Sequence, residues 1–302
     1  MEQLTRRSLL TAAAAAAAIG TAAPRALAIA APSARQEVDR SPRRKPRKAL
    51  KWYMIADGTT VADKFAIARD CGFDGVELDS PSELDLEAVL AAKQQTGIET
   101  PGVVDSVHWQ KPLSAADAAE RAEGVAALER ALRDARAYGA TSVLLVPAVV
   151  QKDVMYGDAW TRSQAEIRKV LPLAAELAID LLIENVWNGF LLGPTELARY
   201  VDELEHPNTG VHFDAGNLVR FGFPHHWVPI LGARIKKVDV KDFVRSKNSF
   251  DVLLNDGDTD WPLVMRELRA IHYDGWFTAE MKAGNRAYLT DLGKRMDGFL
   301  AG

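Results

Sequence analysis

RIKKVDVKDF, residues 234–243, carries six charged side chains in ten and still has the build of a β-strand. Ile235, Val238 and Val240 are available to a core, while Asp239, Lys241 and Asp242 fall at or near the C-terminal end. A core strand that delivers carboxylates at its end suits an architecture in which strand ends converge on a site. The strand count decides which architecture that is.

Seven further stretches have strand character: LKWYMI (50–55), FDGVELD (73–79), IETPGVVDSVHW (98–109), TSVLLVP (141–147), DLLIEN (180–185), TGVHFD (209–214) and GWFTAE (275–280). Several are continuous apolar runs, as expected of parallel strands covered on both faces. Amphipathic segments separate them. The clearest is 115–139, with apolar residues at helical spacing and Gly139 placed to stop the helix; 259–275 has the same form. Eight strand–helix alternations with connections too long for hairpins imply a parallel sheet. A single closed (β/α)8 TIM barrel fits the count better than an open doubly wound sheet, and no Gly-rich nucleotide loop follows the first strand.

Residues 50–302, about 250 in all, match the usual size of such a barrel. Residues 1–30 read as an address: Thr5-Arg6-Arg7-Ser8-Leu9-Leu10 precedes an Ala-rich apolar run, and Ala26-Leu27-Ala28 offers a cleavage point. This twin-arginine-type signal predicts export to the periplasm or beyond. Residues 31–49 are basic and Pro-containing, the composition of a disordered linker. No later segment has the length and hydropathy of a membrane span. The whole chain has 37 Lys+Arg and 41 Asp+Glu, but residues 51–302 hold 27 and 38, a net charge of −11. That acidic body argues against a nucleic-acid partner. Cys71 is the one cysteine, so an intrachain disulfide is excluded, and its place at a helix end suits packing.

In a β/α barrel the C-terminal strand ends build the site. Those ends bring His108-Trp109 from strand 3, Glu184-Asn185 from strand 5, Asp214 from strand 6, Asp239 to Asp242 from strand 7 and Glu280 from strand 8. Any one acidic strand end is readily explained as a helix cap or a partner for lysine. Four in one mouth repel one another and call for a cation, and an all-oxygen set suits a hard divalent ion. His212, two residues before Asp214, reads as a core histidine one layer deeper.

The stretches LLIENVWNGFL, GVHFDAGNLVRFG, RIKKVDVKDF and DWPLVMRELRAIHYDGWFTAE resemble the sugar isomerase/epimerase superfamily with the xylose-isomerase-like barrel, over essentially residues 50–300. The resemblance implies a metal held by Glu184, Asp214, Asp239 and Glu280, with Mn²⁺ or Mg²⁺ as the cofactor. Glu184 and Glu280 would double as the catalytic acid/base pair. Two positions depart from the family: Asp239 stands where a histidine is usual, and Asn217 stands where the epimerases carry another histidine. Arg245 matches a family arginine six residues beyond the strand-7 ligand. His108, Trp109, Asn185, Trp187, Asn217, Lys241 and Arg245 are then the candidate substrate-binding residues, with Lys241 also able to neutralise the carboxylates. Alternatively Asp239 pairs with Lys237 or Lys241 and the ion is weak or absent.

Taken together, these readings point to a metal-dependent sugar isomerase or epimerase acting on an unphosphorylated keto-sugar or sugar derivative through an enediolate. The alternatives are a lyase on a 3-keto-glycoside or an inosose, and a sugar-binding barrel without catalysis. An abasic-site endonuclease is disfavoured by the acidic body and the missing histidines. Carbohydrate is the expected partner, and homo-oligomerisation is left open.

Overall fold

A computed structural model describes residues 46–301 of the chain. Eight parallel strands close into one barrel in sequence order, with the eighth pairing back onto the first. They are β1 (Arg47–Lys51), β2 (Gly75–Ser80), β3 (Val103–Asp105), β4 (Ser142–Leu145), β5 (Asp180–Glu184), β6 (Thr209–Asp214), β7 (Ile235–Val240) and β8 (Trp276–Ala279). Helices fill the crossovers: α1 (Val61–Asp70), α2 (Leu86–Thr96), α3 (Ala118–Tyr138), α4 (Tyr156–Leu177), α5 (Pro194–Asp202), α6 (Ala215–Val219), α7 (Pro224–Leu231), α8 (Trp261–Ala270) and α9 (Arg286–Leu300). The signal and most of the linker lie outside the described residues. No helix among the described residues is long and apolar enough to cross a membrane.

Two strands differ from the sequence expectation for local reasons. β1 starts at Arg47, so the barrel takes in the end of the segment expected as linker. It stops at Lys51, where Trp52–Met54 turn into a 3-10 helix closed by Ile55 N–H on Trp52 O (3.2 Å). β3 is only three residues long. The Asp105 carboxylate accepts the Val107 amide (3.1 Å) and turns the chain, which leaves His108 and Trp109 in the loop beyond the strand. α3 runs as expected, capped by Asp117 at its start and by left-handed Gly139 (φ 72°) at its end.

The apolar core lies between strands and helices. Val238 and Val240 of β7 join it, as do Val264, Met265 and Leu268 of α8, and Trp261 stacks on Phe299 at 4.6 Å. Each such side chain contributes about 1.5–3 kcal/mol by leaving water. Inside the barrel the rule inverts. Lys237 and Asp239, alternate residues of β7, share its inward face with Ile235 and are 2% and 0% exposed. Lys237 pairs with Glu77 of β2, and Lys51 of β1 bridges Glu77 and Asp239, the latter at 3.0 Å.

Gly102, just before β3, leaves the room for this layer. A methyl group there would lie 2.2 Å from Lys237 Nζ and 3.0 Å from Glu77 Oε2. The ammonium cannot retreat without breaking a fully buried pair. Gly102→Ala is therefore expected to destabilise by about 2 kcal/mol, the usual cost of overpacking, read as a lower urea midpoint at unchanged slope.

Candidate active site at the carboxyl end of the barrel

β5, β6 and β7 end in Glu184, Asp214 and, one residue before its end, Asp239, while Glu280 follows β8 with its amide on Val240 O (3.0 Å). Each of these four carboxyl groups offers one oxygen, and the four oxygens lie within 4.8 Å of one another. Parallel register accounts for it: Glu184 aligns with His212, Asp214 with Asp239, and Asp239 with Thr278. The four expected ligands are thus brought together.

Two asparagines fix the carboxylates. The Asn185 side chain donates to Asp214 O (2.8 Å) and accepts from Asp214 N–H (3.1 Å), bracketing the end of β6. Asn217, in α6, gives its backbone N–H to Asp214 Oδ1 (2.9 Å) and its amide to Asn185 O (3.0 Å) and Glu184 Oε1 (3.5 Å). Asn217 therefore does the holding at a position where the resemblance led to histidine. Lys241 Nζ stands 3.0 Å from Asp214 Oδ2 and 2.7 Å from Glu280 Oε2, with Asn217 Oδ1 at 3.4 Å.

Asp239 faces both ways. One oxygen is 2.8 Å from His212 Nε2 and the other 3.0 Å from Lys51 Nζ, so its lysine partner is Lys51 rather than Lys237 or Lys241. Burial would raise its pKa, but His212, Lys51 and Lys237 outweigh that and hold it well below the usual carboxylate range. Burial likewise opposes ionisation of Glu77, yet Lys237 and Lys51 bring it down to about 2. Glu184 goes the other way. Burial and the neighbouring Glu280, Asp214 and Asp239 push it well above the normal value, and burial pushes Asp214 up to about 7 despite Lys241.

The charge count explains the contrast. Glu77, Glu184, Asp214, Asp239 and Glu280 set five carboxylates against the three ammoniums of Lys51, Lys237 and Lys241. The formal excess is two negative charges, which a divalent cation would cancel. Asp214 Oδ2, Glu280 Oε2 and both Asp239 oxygens are buried without a well-aligned hydrogen bond and face the nitrogens of Lys241, Lys51 and His212 at 2.7–3.0 Å. The residues therefore fit a hard divalent ion. Asp239 is the carboxylate most committed to other partners.

The remaining candidates divide. His108 is buried and its Nδ1 accepts the Val146 amide (3.4 Å); burial, with Lys51 nearby, brings its pKa down to about 3, so it is neutral. Trp109 is 47% exposed at the rim beside it. Trp187 donates to Asn217 O (2.8 Å) and packs on Phe221, Phe243 and Phe250, forming an aromatic wall over α6. The Arg245 guanidinium is taken up by Val219 O (2.7 Å) and Gly222 O and lies over the Phe223 ring, so it anchors the loop after α6. None of its polar contacts among the described residues is to the acid group.

Asp242 is structural. Its carboxylate collects the backbone N–H groups of Phe243, Asn255, Gly257 and Thr259 at 2.9–3.1 Å and shapes the loop that enters α8. Cys71 is buried at the end of α1, as packing requires. Lys51 and Glu77 escaped the sequence reading, and Lys237 entered it only as a partner for Asp239. Their one signal is a charge at an inward-facing position of an otherwise apolar strand.

Asp105 was also missed. Burial lifts its carboxyl to about 7, with the Val107 amide opposing. A raised carboxyl contributes stability that is complete below the unfolded value and lost as pH rises through about 7. Relative to Asp105→Asn, the wild type is expected to lose about 1.4 kcal/mol between pH 6 and 8.5 in urea titrations.

Residues 65–297 match the family model described as a xylose isomerase-like TIM barrel. SgbU of Escherichia coli (strain K12), whose name marks it provisionally as an L-ribulose-5-phosphate 3-epimerase, is 27% identical over 75% of this chain and 85% of its own. The L-ribulose-5-phosphate 3-epimerase UlaE of Escherichia coli (strain SMS-3-5 / SECEC) is 26% identical over 52% of this chain and 59% of its own. Among solved structures, an L-ribulose 3-epimerase superposes with a TM-score of 0.73 at 18% identity, covering 85% of this chain and 95% of its own. The 3-keto-D-glucoside 4-epimerase YcjR of E. coli superposes at 0.71 and 14% identity, covering 85% and 100%. At those identities the two structures speak for the fold.

Proposed function

Since the chain belongs to the xylose isomerase-like TIM barrel family, we propose that it is a divalent-metal-dependent sugar isomerase/epimerase that moves a proton at a carbon next to a carbonyl. The observation that carries the reading is the convergence of Glu184, Asp214, Asp239 and Glu280 within 4.8 Å at the mouth. The named epimerases among its relatives support it.

Glu184, Asp214, Asp239 and Glu280 would hold the divalent ion, which would supply Lewis-acid polarisation of a sugar carbonyl and so make the neighbouring C–H more acidic. The protein supplies the rest. Glu184 and Glu280 come from β5 and from the end of β8, on either side of the cluster, so one removes the proton and the other returns it. Asn217 orients Glu184 through its amide, and Lys241 screens Glu280. The rims formed by Trp109 and Trp187 offer apolar faces to a sugar ring. Where the proton returns decides between epimerisation, 1,2-isomerisation and elimination.

The twin-arginine pattern at Arg6-Arg7 supports an exported protein. Export in turn favours an unphosphorylated ketose or 3-keto-glycoside over the sugar phosphates named for the relatives. A panel of ketoses, their phosphates and 3-keto-glycosides tests this. The expected profile is turnover on an unphosphorylated member, lost on dialysis against EDTA and restored by Mn²⁺ or Mg²⁺. Full activity after rigorous chelation would refute the metal requirement.

A further inference from the structure

We propose that Lys241 is a tethered cation that competes with the divalent ion for the carboxylates of the mouth, so that loading the site requires its ammonium to leave. The inference rests on the reading of Glu184, Asp214 and Glu280 as ion ligands. It concerns what occupies their centre before the ion arrives.

Lys241 lies two residues beyond Asp239, on the same inward face, and its side chain is 15% exposed. Its Nζ is 3.0 Å from Asp214 Oδ2 and 2.7 Å from Glu280 Oε2, two of the four cluster oxygens without an aligned hydrogen bond. A divalent ion bound to either oxygen at about 2.1 Å would sit within roughly 5 Å of that ammonium. At such a separation, inside a buried pocket, a doubly charged and a singly charged cation repel strongly. Both cannot keep the same carboxylates.

The backbone of Lys241 cannot make room. α6 packs directly against it, since a methyl group on Gly216 would lie 2.7 Å from Lys241 Cβ and 2.8 Å from its carbonyl oxygen. The flexible stem can move. The Phe250 ring, 5.1 Å from Nζ, and Asn217 Oδ1, at 3.4 Å, mark where the displaced ammonium would rest. The lysine thereby keeps mutually repelling carboxylates together in the metal-free protein and weakens the binding of any ion that replaces it.

The test is Mn²⁺ titration calorimetry on the full, metal-stripped chain, with Lys241→Met, Lys241→Gln and Lys241→Arg beside the wild type. The neutral variants are expected to bind Mn²⁺ at least about tenfold tighter, and the Arg variant no tighter than wild type. Without metal, Lys241→Met should melt below the wild type, and saturating Mn²⁺ should close the gap. A Met variant that folds only with Mn²⁺ present also supports the proposal. Equal or weaker Mn²⁺ binding by the Met and Gln variants would overturn the competition and leave the ion site standing. Absence of Mn²⁺ binding in all four proteins would remove the ion site itself, and the proposal with it.

Discussion

Glu280→Gln is expected to lower kcat by about a thousandfold while KM changes little. Loss of a positioned general acid or base costs on the order of a hundred- to ten-thousandfold. Gln keeps the shape and can still face Lys241, which stands 2.7 Å from the native carboxylate. What it loses is the ability to accept a proton. Of the four carboxyl groups, Glu280 is the most open, with a quarter of its side chain exposed. It is therefore the one placed to meet a substrate from the mouth. The assay is run at saturating Mn²⁺ with metal content measured, so that a weakened ion site is not mistaken for lost chemistry. Unchanged kcat would remove Glu280 from the acid/base pair.

Asp239→Asn is expected to cost about 3–5 kcal/mol of stability in the metal-free protein, the range found when one partner of a buried ion pair is removed. Lys51 would keep Glu77, which it already shares with Lys237, and His212 would lose the carboxylate 2.8 Å from its Nε2. Asp239→His, which installs the residue usual in the family, leaves the same ammonium short of a counter-charge and should destabilise as well. Urea denaturation with and without Mn²⁺ separates the two roles of this side chain. Were Asp239 chiefly an ion ligand, the metal-free stability would hold and only the Mn²⁺-induced gain would shrink.

The sequence showed the barrel because parallel strands covered on both faces are continuous apolar runs, and eight of them alternate with helical spacing. It showed the carboxylate cluster because strand-end carboxylates survive as isolated acids at the ends of such runs. Strand limits were lost where side chains override pattern: Asp105 ends β3 by capturing the Val107 amide, and Pro101 precedes its start. The ionic layer was hidden for a different reason. Lys51, Glu77 and Lys237 come from β1, β2 and β7, and they meet only because β8 closes onto β1. RIKKVDVKDF shows both sides of this. Its alternation placed Asp239 and Lys241 on one face, but not which partners each would find. Asp242 looked like part of the acid cluster and instead gathers four backbone amides.

Solvent exchange measures the central claim most directly. The Mn²⁺-loaded protein is incubated in D₂O with ketoses and 3-keto-glycosides, and deuterium is followed at each sugar carbon. The account predicts incorporation at a carbon adjacent to the carbonyl of at least one sugar, abolished in both Glu184→Gln and Glu280→Gln. Sugars that bind and raise the melting temperature, yet take up no deuterium at any carbon, would contradict it and make the barrel a binding protein.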